Sequence, residues 1–562
     1  MYVKITQSGP RRYVQLVESY RDEEGKVKKR TVATLGRLDQ IHGDLRSVIE
    51  GLLKVTGLGP LQAPPTITFE SAKAFGDLWA LQELWHTLGF GEMTRAFRYT
   101  HHKIDVIALI KTMVFNRLCD PESKLGVLRW LETVNIPGVD AATVTHDHLL
   151  RSMDALMDHR EGVERSLARL LRPLIDQDLS VVFYDMTTIR ADGLSEQKDD
   201  VRKFGMAKEG MIARQFMLGV VQTAEGLPLY HEVFDGNTAE SPTLLPIIQK
   251  MLERYPSLRR LILIADRGLL SLDNLEALSA LRLADDQPLE YILAVPGRRY
   301  YEFTDLLRPF HHAQGQETQE TIGEVSWNGR RLIVAHDPVR AAEQTRQRQR
   351  KIQALMDQGE QWAGKLGIQE QGIKIRGRKL SDSGAKARFY HAVSEAHLSK
   401  IIRVDLKSDL FTYDMDDQAQ ALAEMMDGKL LLVTNTPDLT PAEVVSRYKS
   451  LADIERGFRV LKSELEIGPV YHRLPERIRA HAMICFMALI LYRVMRLRLK
   501  AAHSPLSPER ALEVLRRIQQ HSIKLNHVAP VSGLSSITEE QAKVFQALNI
   551  KKPSASEQMT LL

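Results

Sequence analysis

Three carboxylates stand in settings that could bring them together. Asp185 lies inside the apolar run SVVFYDMTTI, Asp266 ends the run RLILIAD, and Glu455 lies on a later segment with helical periodicity. Three converging negative charges require cations, and hard divalent ions such as Mg²⁺ prefer oxygen ligands. Two such ions would activate a water or 3′-hydroxyl and stabilise the leaving oxygen of a phosphodiester. We therefore predict a site for two Mg²⁺ ions, with Mn²⁺ as a substitute.

Alternating strands and helices must position these carboxylates. The two aspartate runs are typical of strands buried on both faces of a sheet. Between them, QFMLGVVQT and LPLYHEVFDG predict a hairpin, and Ser241-Pro242 predicts a helix start with serine as the cap. Active sites of open α/β sheets lie at the carboxyl ends of the strands. One aspartate there is common without catalysis, whereas two together with a glutamate are more specific.

The glutamate belongs to a predicted helix from Thr440 to Leu465. Thr440 and Glu443 form a capping box around Pro441, and apolar residues follow at steps of three and four. One long amphipathic helix would place Tyr448, Glu455 and Lys462 on one face. The alternative is a partly exposed helix edge that carries an ordinary glutamate.

Composition restricts the class of protein. The chain has 562 residues, 44% of them hydrophobic and 26% charged, and two cysteines, which suits a reducing compartment. It opens without a signal-peptide pattern, and its most apolar run, AMICFMALILY, is too short for a bilayer and predicts a buried helix. We expect a cytoplasmic protein without a membrane partner. The absence of a Walker loop and of GxGxxG argues against NTPase and dinucleotide roles.

Changes in pattern divide the chain into six predicted segments. They are a small β-rich segment with a linker (1–65), a helical region (66–178), the first part of an α/β core (179–296), an inserted mixed, β-rich domain (297–428), the second part of the core with the carboxylate-bearing helix (429–500), and a helical appendix with a tail (501–562). In the helical region, basic residues from Arg95 to Lys103 are interleaved with Phe97 and Tyr99, a mix that nucleic-acid binders use. We predict that this region binds DNA; a helical scaffold with solvated charges is the alternative.

Between about Ser180 and Arg496 the chain resembles the DDE transposases of bacterial insertion sequences. FYDMTT and LIADRG resemble the motifs around the family's two aspartates. A subgroup carries the signature Tyr, two residues, Arg, three residues, Glu, six residues, Lys, which Tyr448, Glu455 and Lys462 fit. The resemblance implies an α/β fold with a ribonuclease-H-like core, interrupted by the inserted domain and preceded by a helical region. It also implies that Asp185, Asp266 and Glu455 are the catalytic and metal-binding residues.

One position departs from the signature: Leu451 stands where the subgroup has arginine. Our hypothesis is that Arg459, close to Tyr448 on the helical wheel, supplies the missing guanidinium. In the subgroup an aromatic residue of the inserted domain stacks on a flipped base, for which Trp327 is the candidate. The predicted DNA-binding residues are therefore Tyr448, Lys462, Arg459, Arg267 and Trp327.

The resemblance implies Mg²⁺-dependent cleavage at the ends of a mobile element, followed by transfer of the 3′-hydroxyl to target DNA. Both DNAs are double-stranded partners, and pairing of two ends implies a homodimer in the bacterial nucleoid. We expect the N-terminal segment and the helical region (66–178) to recognise the ends. Two other functions remain open: a ribonuclease-H-like nuclease without strand transfer, and a catalytically retired DNA-binding protein. All three carboxylates are present, which counts against the retired protein.

Overall fold

The computed structural model describes residues 1–41, 45–57, 67–175, 180–193, 197–206, 212–310, 319–372, 379–451, 457–525 and 531–553. The chain is a mixed α/β protein that divides into two compact units. Among the described residues, the first unit comprises those of 1–72 and 521–533, and the second those of 73–520 and 534–553.

The first unit is built on an antiparallel sheet, in the order β1-β2-β3. Its strands and helices are β1 (Tyr2–Ser8), β2 (Arg11–Arg21), β3 (Val27–Arg37), α1 (Leu38–Ile41) and α2 (Leu45–Val55). Three further strands, most of whose residues belong to this unit, form a sheet in the order β17-β16-β4: β4 (Ile67–Ala74), β16 (Gln519–Leu525) and β17 (Val531–Leu534). The expected helical appendix after residue 501 thus also contributes strands.

The second unit surrounds a large mixed sheet. The strands of this unit are β5 (Ser180–Arg190), β6 (Lys203–Met206), β7 (Ile212–Thr223), β8 (Pro228–Asp235), β9 (Leu261–Ala265), β10 (Glu290–Ala294), β11 (Thr321–Trp327), β12 (Arg330–His336), β13 (Ile402–Val404), β14 (Tyr413–Met415) and β15 (Lys429–Thr434). Of these, β13 and β14 form a separate two-stranded sheet. Its helices are α3 (Gly76–Leu88), α4 (Val106–Cys119), α5 (Lys124–Thr133), α6 (His146–Asp158), α7 (Arg160–Leu171), α8 (Leu244–Arg254), α9 (Leu272–Ala280), α10 (Thr304–Leu307), α11 (Pro338–Glu370), α12 (Asp382–Glu395), α13 (Asp417–Met426), α14 (Pro441–Lys449), α15 (Pro475–Ala501), α16 (Pro508–Arg516) and α17 (Glu539–Ala547).

The sheet runs in the order β11-β12-β15-β10-β9-β5-β7-β6, and β8 also pairs with β7. β5 is parallel to β9, and β9 is parallel to β10. On its other side β5 is antiparallel to β7, which forms the predicted hairpin with β8. The runs around the two aspartates therefore become neighbouring parallel strands, because α8 returns the chain to the sheet between β8 and β9.

Helices cover both faces of this sheet. On one face Phe183, Ile264 and Ile292 pack with Val444 and Val445 of α14 in a common apolar cluster. On the other face Val182, Tyr184 and Ala265 join a larger core that contains α8 and α15. The predicted buried helix is confirmed, since α15 packs against α4, α6 and β8. By length and composition α15 could cross a membrane, but 94% of its apolar window is buried in the protein.

Two local predictions differ from the structure. Among the described residues of 297–428, helix outweighs strand, because α11 alone spans 33 residues of mostly straight-chain, helix-favouring types. β11 and β12 of this interval pair into the large sheet through β15. In addition, Ser241 opens a short 3₁₀ turn and α8 begins only at Leu244, so Ser241 is not the helix cap.

Candidate active site

Asp185 and Asp266 lie on neighbouring strands. The β5–β9 register pairs Phe183 with Ile264 and Tyr184 with Ala265, and each aspartate is the next residue along its chain. Adjacent strands are about 4.8 Å apart. The two aspartates are therefore side by side. Asp266 follows the carboxyl end of β9 as predicted, whereas Asp185 lies inside β5, five residues before its end.

Both carboxylates point to the same face of the sheet. Side chains alternate between the faces of a strand, so Asp185 shares a face with Phe183, and Asp266 shares it with Ile264. That is the face covered by α14. Both aspartates are half-buried, which leaves a pair of hard oxygen donors in a partly dry setting. Such a pair fits a divalent metal ion of the Mg²⁺ class.

Tyr448, on α14, holds the second aspartate. Its hydroxyl donates a hydrogen bond of 2.8 Å to Oδ1 of Asp266. Burial raises the pKa of Tyr448, and the neighbouring charge of Asp266 raises it further. The phenol therefore stays protonated at neutral pH and remains a donor. One oxygen of Asp185 accepts from the backbone N–H of Met186 at 2.7 Å.

The predicted capping box is confirmed: Thr440 caps α14 with Glu443, and Pro441 occupies the first turn. The predicted single helix to Leu465 is wrong, because α14 ends at Lys449. There the Ser450 hydroxyl bonds the carbonyl of Arg447, and Leu451 N–H bonds Tyr448 in a tighter turn. Such side-chain bonds to the backbone compete with helix continuation.

The residues beyond this break belong to a different packing environment. Phe458, Val460 and Leu461 join the larger core, whereas Val444 and Val445 pack on the other face of the sheet. The predicted apolar stripe is thus two separate contacts. Angles on one helical wheel consequently do not relate Tyr448 to residues after 451.

The other signature positions have different outcomes. Glu455 lies outside the described residues, so its role stays a prediction. Arg459 and Lys462 are exposed, the latter within a π-helical turn from Val460 to Glu464. Gly457 packs closely on Gln222 of β7, where a Cβ atom would come within 2.8 Å of the glutamine oxygen. The DNA-binding roles of Arg459 and Lys462 also stay predictions.

Trp327 is not near the two aspartates. It ends β11 beside the Asn328-Gly329 turn, and its ring packs against Phe303 with 5.1 Å between ring centroids. Because β11 is four strands from β9, the lateral separation from Asp266 is about 19 Å. The structure therefore does not join Trp327 to the carboxylates, and base stacking by it stays a prediction.

A basic cavity opens beside Asp266. Of its basic residues, the sequence analysis predicted a DNA contact only for Arg267. Its volume is about 400 Å³, and its cationic lining consists of Arg267, Arg340, Arg348, Lys351 and Lys429. Arg348 is neutralised by Asp427. Arg267, Arg340 and Lys351 have no hydrogen bond or ion pair through their side chains within the described ranges. Residues 340, 344, 348 and 351 recur at helical spacing, a signal that could have revealed one basic face of α11.

Comparison with known families agrees with this geometry. Residues 176–491, more than half of the chain, match the transposase DDE domain. Residues 3–61 match the N-terminal domain of IS1634 family transposases. A search of curated proteins gave no match. With its two aspartates adjacent on one face and a DDE domain over most of the second unit, the chain belongs to the DDE transposases of insertion sequences.

Proposed function

We propose that this transposase binds the ends of its element and catalyses metal-dependent cleavage and strand transfer of DNA. The observation that carries the proposal is the pair Asp185 and Asp266, adjacent on one sheet face, with Tyr448 bonded to the second carboxylate. A purely structural sheet gains nothing from two neighbouring half-buried carboxylates, since like charges at that distance repel.

The topology supports a ribonuclease-H-like core for the catalytic domain. The central strand β5 is flanked by the antiparallel β7–β8 hairpin on one side. On the other side lie the parallel strands β9 and β10, with α8 and α9 in the intervening connections. This order places the first aspartate on the central strand and the second at the end of its parallel neighbour.

The residues of the site fit divalent metal ions, because carboxylate oxygens are the donors that Mg²⁺ and Mn²⁺ accept. When bound, two such ions would activate the attacking hydroxyl and stabilise the leaving oxygen. Asp185 and Asp266 would be ligands, and we propose Glu455 as the third. Tyr448 fixes the orientation of the Asp266 carboxylate through its hydrogen bond, as partners of metal ligands commonly do.

The basic cavity supports DNA as the substrate. Arg267 follows Asp266 directly, so cations of the cavity lie beside the candidate centre. We propose that Arg267, Arg340 and Lys351 contact phosphates of the strand being cut. Such contacts position a duplex without reading its sequence. Arg459 and Lys462 remain candidates for the phosphate clamp of the Tyr–Arg–Glu–Lys subgroup, and two chains would pair two element ends.

The test is a cleavage and strand-transfer assay on duplexes carrying the inverted repeats that flank the gene, with Mg²⁺ or Mn²⁺. Wild type should release the DNA end and join it to a second duplex. Asp185→Asn, Asp266→Asn and Glu455→Gln should each bind the duplex but lower cleavage at least about 10³-fold, since each removes a charged metal ligand. Asp273→Asn, which alters an exposed carboxylate of α9, is the matched control and should retain full activity.

The outcomes separate the alternative functions. Cleavage without joined products would indicate a nuclease that lacks strand transfer. Binding without cleavage by the wild type would indicate a retired DNA-binding protein. Normal cleavage by Asp266→Asn would remove the two-aspartate centre from the proposal altogether.

A further inference from the structure

A second cavity, of about 760 Å³, lies within the second unit between the start of α5 and the segment that leads into α15. Four of its lining side chains are lysine or arginine, and three more are histidines, against two glutamates, Glu122 and Glu466. One of the arginines, Arg477, is paired with Asp154. The balance of charge in the cavity is therefore positive.

The buried cation without a partner in this cavity, among the described residues, is Lys124. It is the first residue of α5, next to the cap Ser123, and only 6% of its surface is exposed. Its ammonium forms no hydrogen bond or ion pair within the described part of the chain. A buried charge without a partner is costly. Lys124 is thus a strong donor at the wall of a cavity large enough for a ligand.

Two further buried side chains in the same cavity each have one nitrogen without a partner. Nε of Arg117 and Nδ1 of His481 are buried without a hydrogen-bond partner among the described residues. The other nitrogens of Arg117 do have partners, including the carbonyl of Glu466 at 3.2 Å. Nε2 of His481 lies 2.9 Å from the carbonyl of Ile467. Each side chain is therefore held in place while one nitrogen remains unused. Nε of Arg117 is a donor, whereas Nδ1 of His481 carries a lone pair, because Nε2 holds the proton and donates to the Ile467 carbonyl.

The basic groups of this cavity lie close enough to lower one another's pKa values. Burial and the charge of Arg117 lower the pKa of Lys124 to about 7. Burial and the charge of Lys124 lower the pKa of His472 to about 3, and that of His481 falls well below its usual value. An anion among them would relieve this repulsion. The first N–H groups of α5 would add donors, as helix N-termini do for phosphates.

We propose that this cavity binds a phosphate group of the DNA strand on which the transposase acts, with Lys124 and Nε of Arg117 as its side-chain donors. The inference rests on the proposed function and adds a subsite apart from the carboxylates. At the cavity lining, Tyr471 is 69% exposed and offers an aromatic surface for a base or sugar. A free phosphate has the same charge and oxygens, so the test must separate the two sources.

The position of the cavity agrees with a bound strand. Val470, in its lining, bonds the end of β5 and the residues after it. Its N–H donates to the carbonyl of Arg190, and its carbonyl accepts from the N–H of Asp192. Arg190 is five residues beyond Asp185 along β5, a distance of about 16 Å. A duplex spans that distance in about five base pairs. A phosphate in the cavity and the scissile phosphate can therefore belong to one DNA end.

The test compares wild type with Lys124→Met, which keeps the length of the side chain and removes its charge. Thermal unfolding is measured with inorganic phosphate, with potassium chloride matched in ionic strength as the reference. Affinity for the element-end duplex is measured by fluorescence anisotropy. Phosphate should raise the Tm of wild type but not of Lys124→Met. The variant should bind the duplex about tenfold more weakly, the loss of one charge-assisted contact.

The stability of Lys124→Met itself and two further variants, Tyr471→Ala and Asp266→Asn, serve as controls. Lys124→Met should be at least as stable as wild type without phosphate, because it removes an unpaired buried charge. Tyr471→Ala changes an exposed ring and should weaken duplex binding about tenfold while leaving the phosphate-induced shift intact. Asp266→Asn should show the same phosphate shift and duplex affinity as wild type, so a failure of the proposed catalytic centre would be seen separately.

A phosphate shift in wild type that is lost in Lys124→Met, with weaker duplex binding, would support the DNA subsite. A phosphate shift with unchanged duplex affinity would assign the cavity to a free phosphate and overturn the DNA proposal. Equal behaviour of wild type and Lys124→Met in both assays would show an adventitious ion only, or no anion site.

Discussion

At the scale of single residues, the contact between Tyr448 and Asp266 links the cover helix α14 to the candidate centre. A carboxylate beside a second carboxylate would rotate away from it unless another group fixed its plane. The Tyr448 hydroxyl supplies that group at 2.8 Å. Its raised pKa keeps the proton on the phenol, so it donates rather than adding a third negative charge. Tyr448 is therefore a positioning residue in this structure, whatever contact it makes with DNA.

This role predicts the behaviour of Tyr448→Phe. The phenylalanine ring can still pack between α14 and the sheet, so the fold should be retained. Asp266 loses the hydroxyl that donates to it. Partners of metal ligands typically contribute 10- to 100-fold in metal affinity or activity. We expect the Mg²⁺ or Mn²⁺ concentration that gives half-maximal cleavage to rise by about that factor, at unchanged duplex affinity. Titration of cleavage rate against metal concentration measures the effect.

Tyr301→Phe is the control for this experiment, because Tyr301 is exposed and its hydroxyl has no hydrogen bond within the described residues. If Tyr448→Phe needed the same metal concentration for half-maximal cleavage as wild type, the hydrogen bond from Tyr448 would not be required to orient Asp266. A loss of duplex affinity with an unchanged midpoint would instead favour the phosphate contact that the subgroup signature implies.

Sequence reasoning at this scale finds residues but not their contacts. An acidic residue inside or directly after an apolar run is visible in the sequence, so Asp185 and Asp266 could both be predicted. Their adjacency followed from the general rule on strand ends. The bond from Tyr448 to Asp266 could not be predicted, because a helical wheel relates residues only within one helix. It depends on how α14 crosses the sheet.

At the scale of elements, a largely buried network of ion pairs joins α7, β8 and α8. Arg160 bonds both Glu164 and Glu232, Lys250 bonds Glu232, and Arg254 bonds Glu164. Burial opposes the charge of Glu232, but the charge of Arg160 and the hydrogen bond from Lys250 outweigh it. The pKa of Glu232 is lowered to about 2.

The lowered pKa sets a direction for stability against pH. A carboxyl whose pKa falls on folding stabilises the protein above its unfolded pKa and loses that contribution as pH falls through its folded pKa. For Glu232 the window runs from about 4.5 to about 2. The full contribution is on the order of 3 kcal/mol. Glu232→Gln should lower the Tm at pH 6, and the gap to wild type should narrow as pH falls through this window.

Thermal melts of the two proteins between pH 6 and pH 3 provide the measurement. Glu161→Gln is the control, because the Arg165–Glu161 pair is exposed and should contribute little. A gap that stays constant with pH would mean that Glu232 stabilises the fold by packing, without its charge.

The basic face of α11 predicts a second effect at this scale. Arg340 and Lys351 line the cavity beside Arg267, whereas Arg346 and Arg350 lie on another face of the same helix. Replacing Arg340 and Lys351 by alanine should weaken duplex binding and make the slope of log K against log salt shallower by about 2. Arg346→Ala with Arg350→Ala removes equal charge from the same helix and should leave the slope nearly unchanged. Equal slopes for both pairs would remove the cavity from the DNA path.

Helices, strands and turns were predicted well where neighbouring residues determine them, and less well where tertiary packing determines their ends. The β7–β8 hairpin and the capping box of α14 rest on near neighbours in sequence, and both were found. The helix from Thr440 was expected to continue because its apolar spacing continues. The observed helix ends at Lys449. The apolar residues of the predicted segment pack into two separate cores, on opposite faces of the sheet. No periodicity distinguishes one apolar partner from another.

At the scale of the whole molecule, charge is unevenly divided. Residues 1–41 contain nine lysines and arginines against five acidic residues, a net charge of +4, while the whole chain has +5. The first unit is therefore the more basic for its size, and it contains the segment that matches the IS1634 N-terminal domain. The second unit contains nearly balanced charge, and some of its cations line the two cavities described above. Long-range attraction of DNA is expected from the first unit, and local positioning from the second.

This division predicts the effect of removing Arg11 and Arg12, two exposed residues at the start of β2. Neither forms an ion pair within the described residues, so both are available to phosphates. Arg11→Ala with Arg12→Ala should weaken binding to element-end and random duplexes by the same factor, because phosphate contacts carry no sequence information. The salt slope should become shallower by about 2. Lys26→Ala with Arg30→Ala is the matched control, since Glu24 and Glu18 already neutralise those cations. A larger loss on element-end DNA than on random DNA would contradict this account and show that β2 reads bases.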